Sequence, residues 1–350
     1  MTKPSILELP PGVQLIYLAE GGANVIYRFA TAGTTLKKDP KRPLSAVIDR
    51  PDQTSTLPAR LKGKLLRMRK ETTADISYKE IVRNFDTIIR PLFSPEELVD
   101  QTLVQLPDGL LARCNERLRA DEVAGSRPKK RHGGYLCLSE PFGLLITDMT
   151  TEGEPGATLA ELKPKWLNQS PSAPAAARRC RTCALREMKN HESLLLGHKE
   201  QRSFCPLDLV SEKFENVLRA TRLIKGCKDR PRLARILYRN STLRRLQSLQ
   251  KIEGDVGLQG PVAKSREMSL AMTLRDCTMF VKIPHDEKRP VEIRLGDLDL
   301  KTGAGGKAGY WRSLETQLID QGWYHGCNSN QDPSECALLG SQRPPYSPSS

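Results

Sequence analysis

Two apolar segments in the last quarter of the chain carry aspartates that could take part in acid–base or metal chemistry. In the first, MTLRDCTMFVKI (272–283), alternation predicts a strand that places Asp276 on the face opposite Cys277. An aspartate in a half-buried strand must be paired or protonated, because a buried, unpaired charge is costly. A salt bridge with Lys282 or Arg275 is therefore the alternative to a catalytic role.

In the second segment, VEIRLGDLDLK (291–301), Asp297 and Asp299 close a predicted strand. Alternation places both on the face of Leu295, which we expect to meet the core. Mg²⁺ prefers oxygen ligands, and it would compensate the charge of two carboxylates where a buried strand ends. Acids of a surface turn are the alternative, which the preceding apolar run disfavours. We therefore expect this pair to bind a metal ion.

Two short motifs suit the binding of an anion. In ELKPKW (161–166) a proline stiffens a segment that has a lysine on each side, although a solvated basic loop explains it equally well. In EGGAN (20–24) two glycines leave backbone amides free to meet a phosphate. An ordinary hairpin turn is the simpler interpretation of the glycines alone. The Gly-Lys-Ser/Thr sequence of a Walker A loop does not follow them.

Nine cysteines occur in the chain, and one pair has the CxxC spacing of zinc fingers. Cys180 and Cys183 are followed by His191 and His198, but there is no second CxxC, and the histidine spacing fits no common zinc module. The ligand set is incomplete, so structural zinc is the minor alternative. Four further cysteines are interpreted as small buried residues or surface thiols: Cys114, Cys137, Cys205 and Cys227.

The composition favours an anionic partner. The net charge of +14 suits nucleic acid, acidic lipid or a polyphosphate. Aromatic residues make up only 5% of the chain, which is low for a protein that stacks the bases of single strands. The apolar runs are shorter than the ~18–20 residues of a membrane span. The first residues also lack the pattern of a signal peptide, so we expect neither a membrane nor a secreted protein.

The elements that must position these residues follow from periodicity and turn chemistry. Before residue 150 we predict strands and one helix, which begins at Ser94 with a proline and two glutamates in its first turn. After residue 150 we predict a helix capped by Ser211, the two aspartate strands and a helix at 311–318. The strands of the first half are expected at 13–30 (a pair), 64–70, 133–138 and 142–147. Loops are expected at 37–64, 168–179 and after residue 327.

This order of elements predicts an α+β chain with two lobes. An N-lobe, residues 1–150, would hold an antiparallel sheet and the glycine-rich loop. A larger, mixed C-lobe, residues 151–325, would hold the KPK segment and both aspartate strands. Residues 326–350 would form a flexible tail.

Taken in order, eight segments of the chain resemble the inositol-pentakisphosphate 2-kinase family, in a form that looks fungal. They are EGGANVIYRF (20–29), KLLRMRK (64–70), RPLF (90–93), ELKPKW (161–166), CRTCALREMK (180–189), CPLDLVS (205–211), RDCTMFVKI (275–283) and GDLDLK (296–301). Members of this family transfer the γ-phosphate of ATP to the axial 2-hydroxyl of inositol 1,3,4,5,6-pentakisphosphate and make the hexakisphosphate, phytate. Their fold is two-lobed and kinase-like.

The resemblance implies ATP and Mg²⁺ as cofactors and a monomer that needs neither nucleic acid nor membrane. It also implies nuclear or cytoplasmic residence, in line with the basic cluster RPKKR (127–131). Asp276 and Lys163 would be catalytic, with Asp276 orienting or deprotonating the 2-hydroxyl, and Asp297 would bind magnesium. The ATP-binding residues would be Gly21, Gly22, Ala23, Asn24, Arg67, Thr147, Asp148, Met149 and Glu161. The residues that bind the inositol phosphate would be Arg131, Lys163, Lys165, Arg235, Lys301, Lys307 and Tyr310.

The chain also departs from the family pattern. Cys183 stands where some members have a lysine, and the residues before Arg235 differ from the asparagines that are common there. Plant members bind zinc through a CxxC and a histidine, which have no counterpart between residues 250 and 268, so we expect no zinc at that place.

Two other functions remain open at this point. A kinase of another inositol polyphosphate position would be expected to carry the motif PxxxDxKxG, which the chain lacks. A non-catalytic RNA- or polyphosphate-binding protein would explain the positive charge, but the few aromatic residues and the retained Asp276 and Asp297 disfavour it. A substrate with five phosphates carries a charge of about −8 to −10, which accounts for the basic composition without nucleic acid.

Overall fold

The computed structural model describes residues 6–30, 57–72, 76–252, 256–260, 265–301, 307–326 and 336–342. The chain divides into two compact units. The first comprises Met1–Thr87 and Val99–Asp148, and the second comprises Ile88–Leu98 and Met149–Ser350. The sequence predicts one boundary, after residue 150, and so assigns residues 88–98 to the N-lobe. In the structure this short segment belongs to the second unit.

The first unit is built on a six-stranded sheet. Its strands are β1 (Leu7–Glu8), β2 (Leu15–Glu20), β3 (Asn24–Phe29), β4 (Lys64–Arg69), β5 (Gln101–Gln105) and β6 (Phe142–Thr147). They lie in the order β1-β5-β6-β4-β3-β2, and all neighbours are antiparallel except β1 and β5. Helices α1 (Tyr78–Asn84) and α2 (Leu110–Val123) complete the unit. Apolar side chains of β3, β4 and α2, among them Val25, Leu66 and Leu118, share its core.

The second unit combines a three-stranded antiparallel sheet with helices. The strands, in the order β7-β8-β9, are β7 (Thr158–Leu162), β8 (Thr278–Ile283) and β9 (Glu292–Gly296). The helices are α3 (Arg181–Leu195), α4 (Pro206–Leu209), α5 (Phe214–Thr221), α6 (Arg230–Leu237), α7 (Ser241–Ile252), α8 (Arg266–Leu274) and α9 (Lys307–Asp320). The mixed α+β class predicted from the sequence is confirmed.

The predicted strand at 272–283 is wrong in its first part. Ser265 caps α8 by accepting a hydrogen bond from the Met268 amide, and the helix runs to Leu274. Most residues of α8 are buried, so its sequence lacks the one-sided apolar pattern that distinguishes a helix from a strand. Asp276 therefore lies in the turn between α8 and β8. The alternation predicted beyond it is confirmed, because Cys277, Met279, Val281 and Ile283 are all buried.

Three other predicted elements differ from the structure. Ser94 does form a capping box with Glu97, but only one 3-10 turn follows, because the chain is extended again at Leu98. Helix α5 begins after Lys213 rather than Ser211. The expected strand at 133–138 forms a single bridge, between Leu136 and Lys70.

The predicted loops and tail fall partly outside the described residues. Of the loop at 37–64, residues 37–56 lie outside them, whereas 168–179 is described and contains neither helix nor strand. Within the predicted tail, residues 336–342 are described, and Cys336 is buried at 1% exposure. That cysteine does not fit the expectation of a flexible tail. In the described part of the chain, no helix has the length and apolar character required to cross a bilayer.

Candidate active site

Three chain segments of the second unit meet at one edge of its sheet. Strands β7 and β9 both run antiparallel to β8. The end of β7, the start of β8 and the end of β9 therefore lie on the same side, as the pairs Leu162–Met279 and Thr278–Gly296 show. The KPK segment follows β7, Asp276 precedes β8 and Asp297 follows β9. The topology thus brings together charged residues that are more than 130 positions apart in sequence.

The side chains at this edge form a cluster of three lysines and two aspartates, called here the lysine–aspartate cluster. Lys163 Nζ lies 3.3 Å from Asp276 Oδ1 and 3.0 Å from Asp297 Oδ2. Lys165 Nζ donates to Asp276 Oδ1 at 2.6 Å, and Lys301 Nζ lies 3.4 Å from Asp276 Oδ2. All five side chains keep between 29% and 45% of their surface exposed, so a ligand has access to them.

The lysines set the ionisation of Asp276. Burial alone would raise the pKa of its carboxyl, but the hydrogen bond and charge of Lys165, with the charges of Lys301 and Lys163, lower the pKa below its ordinary value. For Lys163, burial opposes the charged form, yet Asp297 and Asp276 outweigh it and raise the pKa of the ammonium group. Asp276 is therefore a carboxylate at neutral pH and Lys163 is an ammonium ion.

Two members of the cluster adopt unusual backbone conformations. Lys165 and Asp297 both have φ of 57°, a region that residues other than glycine seldom occupy. At Asp297 this turn ends the strand alternation, so that Leu298 is buried while Asp297 is exposed. The prediction that Asp297 and Asp299 both share the buried face of Leu295 is therefore wrong. The turn instead directs the Asp297 carboxylate to Lys163.

A buried glutamine holds the segments of the cluster in place. Gln250, on α7, is fully buried. Its Nε2 donates to the backbone oxygens of Lys165 at 2.8 Å and Leu274 at 2.9 Å, while its Oε1 accepts from the Leu167 amide at 2.9 Å. One side chain thus fixes the KPK segment against the end of α8, two residues before Asp276.

Thr273 and Trp166 add further support. The Thr273 hydroxyl, which is buried, accepts from the Lys301 amide at 2.9 Å and so holds the segment after β9 beside α8. The ring of Trp166 lies 4.2 Å from the Arg181 guanidinium and 4.6 Å from that of Arg275. Cation–π contacts of this kind fix the end of the KPK segment.

Asp297 is the carboxylate of the cluster that fits a magnesium ion. Among the described residues it forms an ion pair with Lys163 alone, and its side chain is 45% exposed. Asp276 instead has both carboxylate oxygens engaged by lysines. Mg²⁺ in proteins is commonly held by one or two carboxylates together with phosphate oxygens and water. The exposed oxygens of Asp297 suit that donor set, and those of Asp276 do not.

In the first unit, the EGGAN loop is anchored by a buried ion network. Glu20 pairs with Lys70 and accepts two hydrogen bonds from Arg127, at 2.8 and 2.9 Å. All three side chains are at most 3% exposed. Burial alone would raise the pKa of Glu20, but its hydrogen bonds from Arg127 and Lys70 lower it, so the charge persists. Lys70 Nζ also donates to the Gly21 oxygen at 3.1 Å, which ties the start of the loop to β4.

The far end of the loop meets Arg67. The Asn24 amide, oriented by its hydrogen-bond network, accepts from Arg67 at 3.0 and 3.3 Å and donates to the Tyr78 hydroxyl at 2.8 Å. Arg131 also approaches the loop, with its Nη1 4.0 Å from the position that a Cβ on Gly22 would take. The loop residues Gly21, Gly22 and Ala23 are exposed. The structure therefore brings together the predicted residues of this loop, Arg67 and Arg131.

Comparison with known proteins identifies the family. The family model described as inositol-pentakisphosphate 2-kinase matches residues 17–317. The chain belongs to the inositol-pentakisphosphate 2-kinase family. A protein of that name from Yarrowia lipolytica is 31% identical over 288 residues, which cover 76% of this chain and 87% of the relative. Another, from Debaryomyces hansenii, is 24% identical over 321 residues, covering 76% of this chain and 75% of the relative. The resemblance to fungal members drawn from the motifs is confirmed.

The remaining predicted binding residues lie outside the lysine–aspartate cluster. Thr147 ends β6, where its hydroxyl accepts from the Asp100 amide at 3.1 Å, and the Asp148 amide donates to the Gly63 oxygen. Met149 is the first residue of the longer segment of the second unit, and Glu161 is exposed on β7. Arg235 and Tyr310 are exposed on α6 and α9, and Lys307 is the first residue of α9.

The sequence analysis did not identify several residues that shape the candidate site of this chain. Gln250 left a weak signal, because it continues the buried stripe of Leu243 and Leu246 on α7 at positions that are otherwise apolar. A polar residue in such a stripe indicates a specific buried hydrogen-bond role. Glu20 belongs to the EGGAN motif, but nothing in that motif indicates a buried ion network. Its partner Arg127 is 107 positions away, and no local pattern connects the two.

Proposed function

We propose that this chain transfers the γ-phosphoryl group of ATP to the 2-hydroxyl of inositol 1,3,4,5,6-pentakisphosphate and so makes inositol hexakisphosphate. The observation that carries the proposal is the lysine–aspartate cluster, in which Asp276 is held by three lysines beside the exposed Asp297. Family membership supports the reaction, since both relatives are named for it.

Asp276 is the group that we assign to the acceptor hydroxyl. Because the neighbouring lysines lower its pKa, the carboxylate is ionised at neutral pH and can accept a hydrogen bond from the 2-hydroxyl. The same low pKa makes it a weak base, so its main contribution is to orient the hydroxyl oxygen toward phosphorus. In phosphoryl transfer through a loose transition state, orientation and charge neutralisation supply most of the catalysis. The new oxygen–phosphorus bond forms as the bond between the γ-phosphorus and the oxygen of ADP breaks, and the hydroxyl proton passes to the Asp276 carboxylate late in the step.

Lys163, Lys165 and Lys301 are the groups that we assign to substrate phosphates. The ammonium groups pair with the two aspartates, and the cluster as a whole carries one net positive charge. A pentakisphosphate of about −8 to −10 charge would attract them strongly. Lys163, which contacts both aspartates, would stabilise negative charge on the transferred group. Arg131, Arg235, Lys307 and Tyr310 remain predicted substrate-binding residues.

For ATP and magnesium, we propose the residues that the family resemblance assigned. When bound, the metal ion would neutralise charge on the β- and γ-phosphates. Asp297 would hold it through exposed carboxylate oxygens. The EGGAN loop would present its backbone to the phosphates, with Arg67 fixed beside it by Asn24. Thr147, Asp148 and Met149 would meet the adenine, and Glu161 the ribose.

We further propose that the two units correspond to the lobes of a kinase-like fold. The first carries an almost wholly antiparallel sheet with the glycine-rich loop, and the second carries the aspartates on a small sheet among helices. A monomeric state, independence from nucleic acid and nuclear or cytoplasmic residence remain predictions.

An assay with magnesium–ATP and inositol 1,3,4,5,6-pentakisphosphate tests the reaction, with the product read by phosphorus NMR. We expect a new resonance from phosphate at the axial 2-position. Transfer to any other acceptor would move the function to a kinase of a different specificity. Tight binding of the pentakisphosphate without transfer would make the chain a polyphosphate-binding protein and would overturn the roles of Asp276 and Asp297.

A further inference from the structure

The two carboxylates of the lysine–aspartate cluster lie close together. Lys163 Nζ is 3.3 Å from Asp276 Oδ1 and 3.0 Å from Asp297 Oδ2, so these two oxygens are separated by no more than the sum of the two distances. The same ammonium group donates to the backbone oxygen of Asp276 at 2.9 Å, which fixes it between the carboxylates. A group bound beside Lys163 therefore lies near both negative charges.

Phosphoryl transfer changes the charge of the group that faces Asp276. The substrate presents a neutral 2-hydroxyl, which donates a hydrogen bond to the carboxylate. In the product the hydroxyl proton has been replaced by a phosphoryl group, and a phosphate carries a charge of about −1.5 to −2 at neutral pH. The product thus has a strongly negative group at the position where the substrate has a hydrogen-bond donor.

The lysines of the cluster do not offset this added charge. Lys165 lies 2.6 Å from Asp276 Oδ1, Lys301 lies 3.4 Å from its Oδ2, and Lys163 is shared between both aspartates. Three ammonium groups against two carboxylates leave a single positive charge, which is less than the charge of the new phosphate. Like charges within hydrogen-bond range repel strongly at a site that is only partly exposed to water.

Resting on the proposed function, which places the 2-hydroxyl at Asp276, we propose that this carboxylate also makes the chain select its substrate over its product. Asp276 accepts a hydrogen bond from the 2-hydroxyl and repels a phosphate at the same position. Asp297, on the other side of Lys163, acts in the same direction whenever no metal ion compensates its charge. The pentakisphosphate therefore binds more tightly than the hexakisphosphate, and the product leaves the site readily.

This order of affinities is the reverse of what the basic composition alone predicts. The chain has a net charge of +14, and a basic surface attracts a ligand more strongly as the negative charge of the ligand increases. A site that recognised its ligands by charge alone would hold six phosphates more tightly than five. A preference for the ligand with fewer phosphates requires a negative group at the position of the missing one, which is where the proposed function places Asp276.

The test is calorimetric titration of the full chain with inositol 1,3,4,5,6-pentakisphosphate and with inositol hexakisphosphate, without added magnesium or nucleotide. We expect the unaltered chain to bind the pentakisphosphate more tightly. Asp276→Asn keeps an acceptor oxygen for the 2-hydroxyl but removes the charge. It should therefore lower the ratio of the hexakisphosphate Kd to the pentakisphosphate Kd by about 10- to 100-fold.

Asp286→Asn is the matched control. Asp286 is exposed in the connection between β8 and β9, at the edge of the sheet opposite to the cluster. Its Oδ1 accepts from the Lys288 amide at 2.9 Å, a bond that an asparagine oxygen can also accept. The substitution removes the same charge from the same unit, and we expect it to leave the ratio of the two dissociation constants unchanged.

Tighter binding of the hexakisphosphate by the unaltered chain would overturn the proposal, and this measurement needs no variant to fold. An unchanged ratio in Asp276→Asn, or an equal shift in Asp286→Asn, would also overturn it. Binding without nucleotide is measured separately from turnover. A chain that makes the hexakisphosphate but binds it more tightly than its substrate refutes only the selection by Asp276. A chain that shows the expected ratios but transfers no phosphate to the 2-position refutes only the proposed reaction.

Discussion

Replacing Gln250 by methionine should disrupt the candidate active site without touching any of its charged residues. Methionine has nearly the same volume as glutamine, so packing on α7 is preserved. The change removes the Gln250 hydrogen bonds of three backbone groups: the part-buried oxygen of Lys165, the amide of Leu167, and the oxygen of Leu274, which still accepts from Cys277 Sγ at 3.6 Å. Each unsatisfied buried group costs about 1–3 kcal/mol. We therefore expect a loss of about 3 kcal/mol in the free energy of unfolding.

That loss corresponds to a fall of about 6–12 °C in melting temperature for a cooperative unit of 150–250 residues. In the folded fraction, Lys165 would no longer be fixed against the end of α8. A displacement of about 1 Å at a catalytic group can reduce turnover by about 100-fold. Scanning calorimetry through the transition measures the loss of stability, and the magnesium–ATP assay, run below the transition, measures the loss of turnover.

Gln247→Met is the matched control on the same helix. Gln247 is half-buried, and its side chain donates to the Leu167 oxygen at 3.3 Å and accepts from Arg244 at 3.5 Å. Losing such longer, partly solvated contacts should cost at most about 1 kcal/mol. If Gln250→Met melts and turns over like Gln247→Met, then Gln250 does not hold the cluster together and the reasoning fails.

Gln250→Glu adds a dependence on pH. One glutamate oxygen can still accept from the Leu167 amide, but the other faces the two backbone oxygens and must be protonated to donate to either. Burial and these oxygens would raise the pKa of the new carboxyl in the folded state. Such a group stabilises the fold below its unfolded pKa, and the stability is lost as pH rises through the folded pKa. Unfolding midpoints should thus decrease with rising pH for this variant and not for Gln250→Met.

The other predictions concern the lysine–aspartate cluster. Asp276→Asn should lower turnover by about 100- to 10,000-fold while circular dichroism and melting stay close to normal; near-full activity would refute its role. Because the lysines hold the pKa of Asp276 below its ordinary value, the carboxylate's stabilising ion pairs are present above the ordinary aspartate range. These ion pairs are lost as pH falls through the lowered pKa. We therefore expect that turnover measured against pH shows no decrease near neutral pH from protonation of Asp276. Lys165→Asn, chosen because asparagine tolerates the positive φ, should weaken pentakisphosphate binding about 10-fold or more and ATP binding much less. Calorimetric titrations that show equal losses for both ligands would contradict the assignment. Asp297→Asn should abolish turnover without unfolding the chain, and partial activity recovered only at raised magnesium concentration would support its role as a ligand. Pentakisphosphate affinity should fall as salt is raised, since screening weakens such contacts.

Local chemistry in the sequence was enough to predict much of the first unit and to indicate Asp276, Asp297 and the KPK lysines as candidates. Strands β2, β3, β4 and β6 follow from alternation and β-branched or aromatic residues, which depend on neighbours only one or two positions away. The ordered motifs identified the family, and with it the lysines and aspartates that the structure brings together. Helix α8 was missed because it is buried on most sides, and a buried helix and a buried strand have similar apolar sequences.

Only the tertiary structure decided which distant residues meet and in what state. The antiparallel order β7-β8-β9 places Lys163, Asp276 and Asp297 at one edge, and this proximity lowers the pKa of Asp276. Gln250 and the pair of Glu20 and Arg127 act through hydrogen bonds between segments far apart in the chain. Cys336 joins the CxxC pair across more than 150 positions. Spacing along a chain cannot encode such contacts, because they depend on how the intervening elements pack, whereas charge, periodicity and turn chemistry are properties of the local sequence itself.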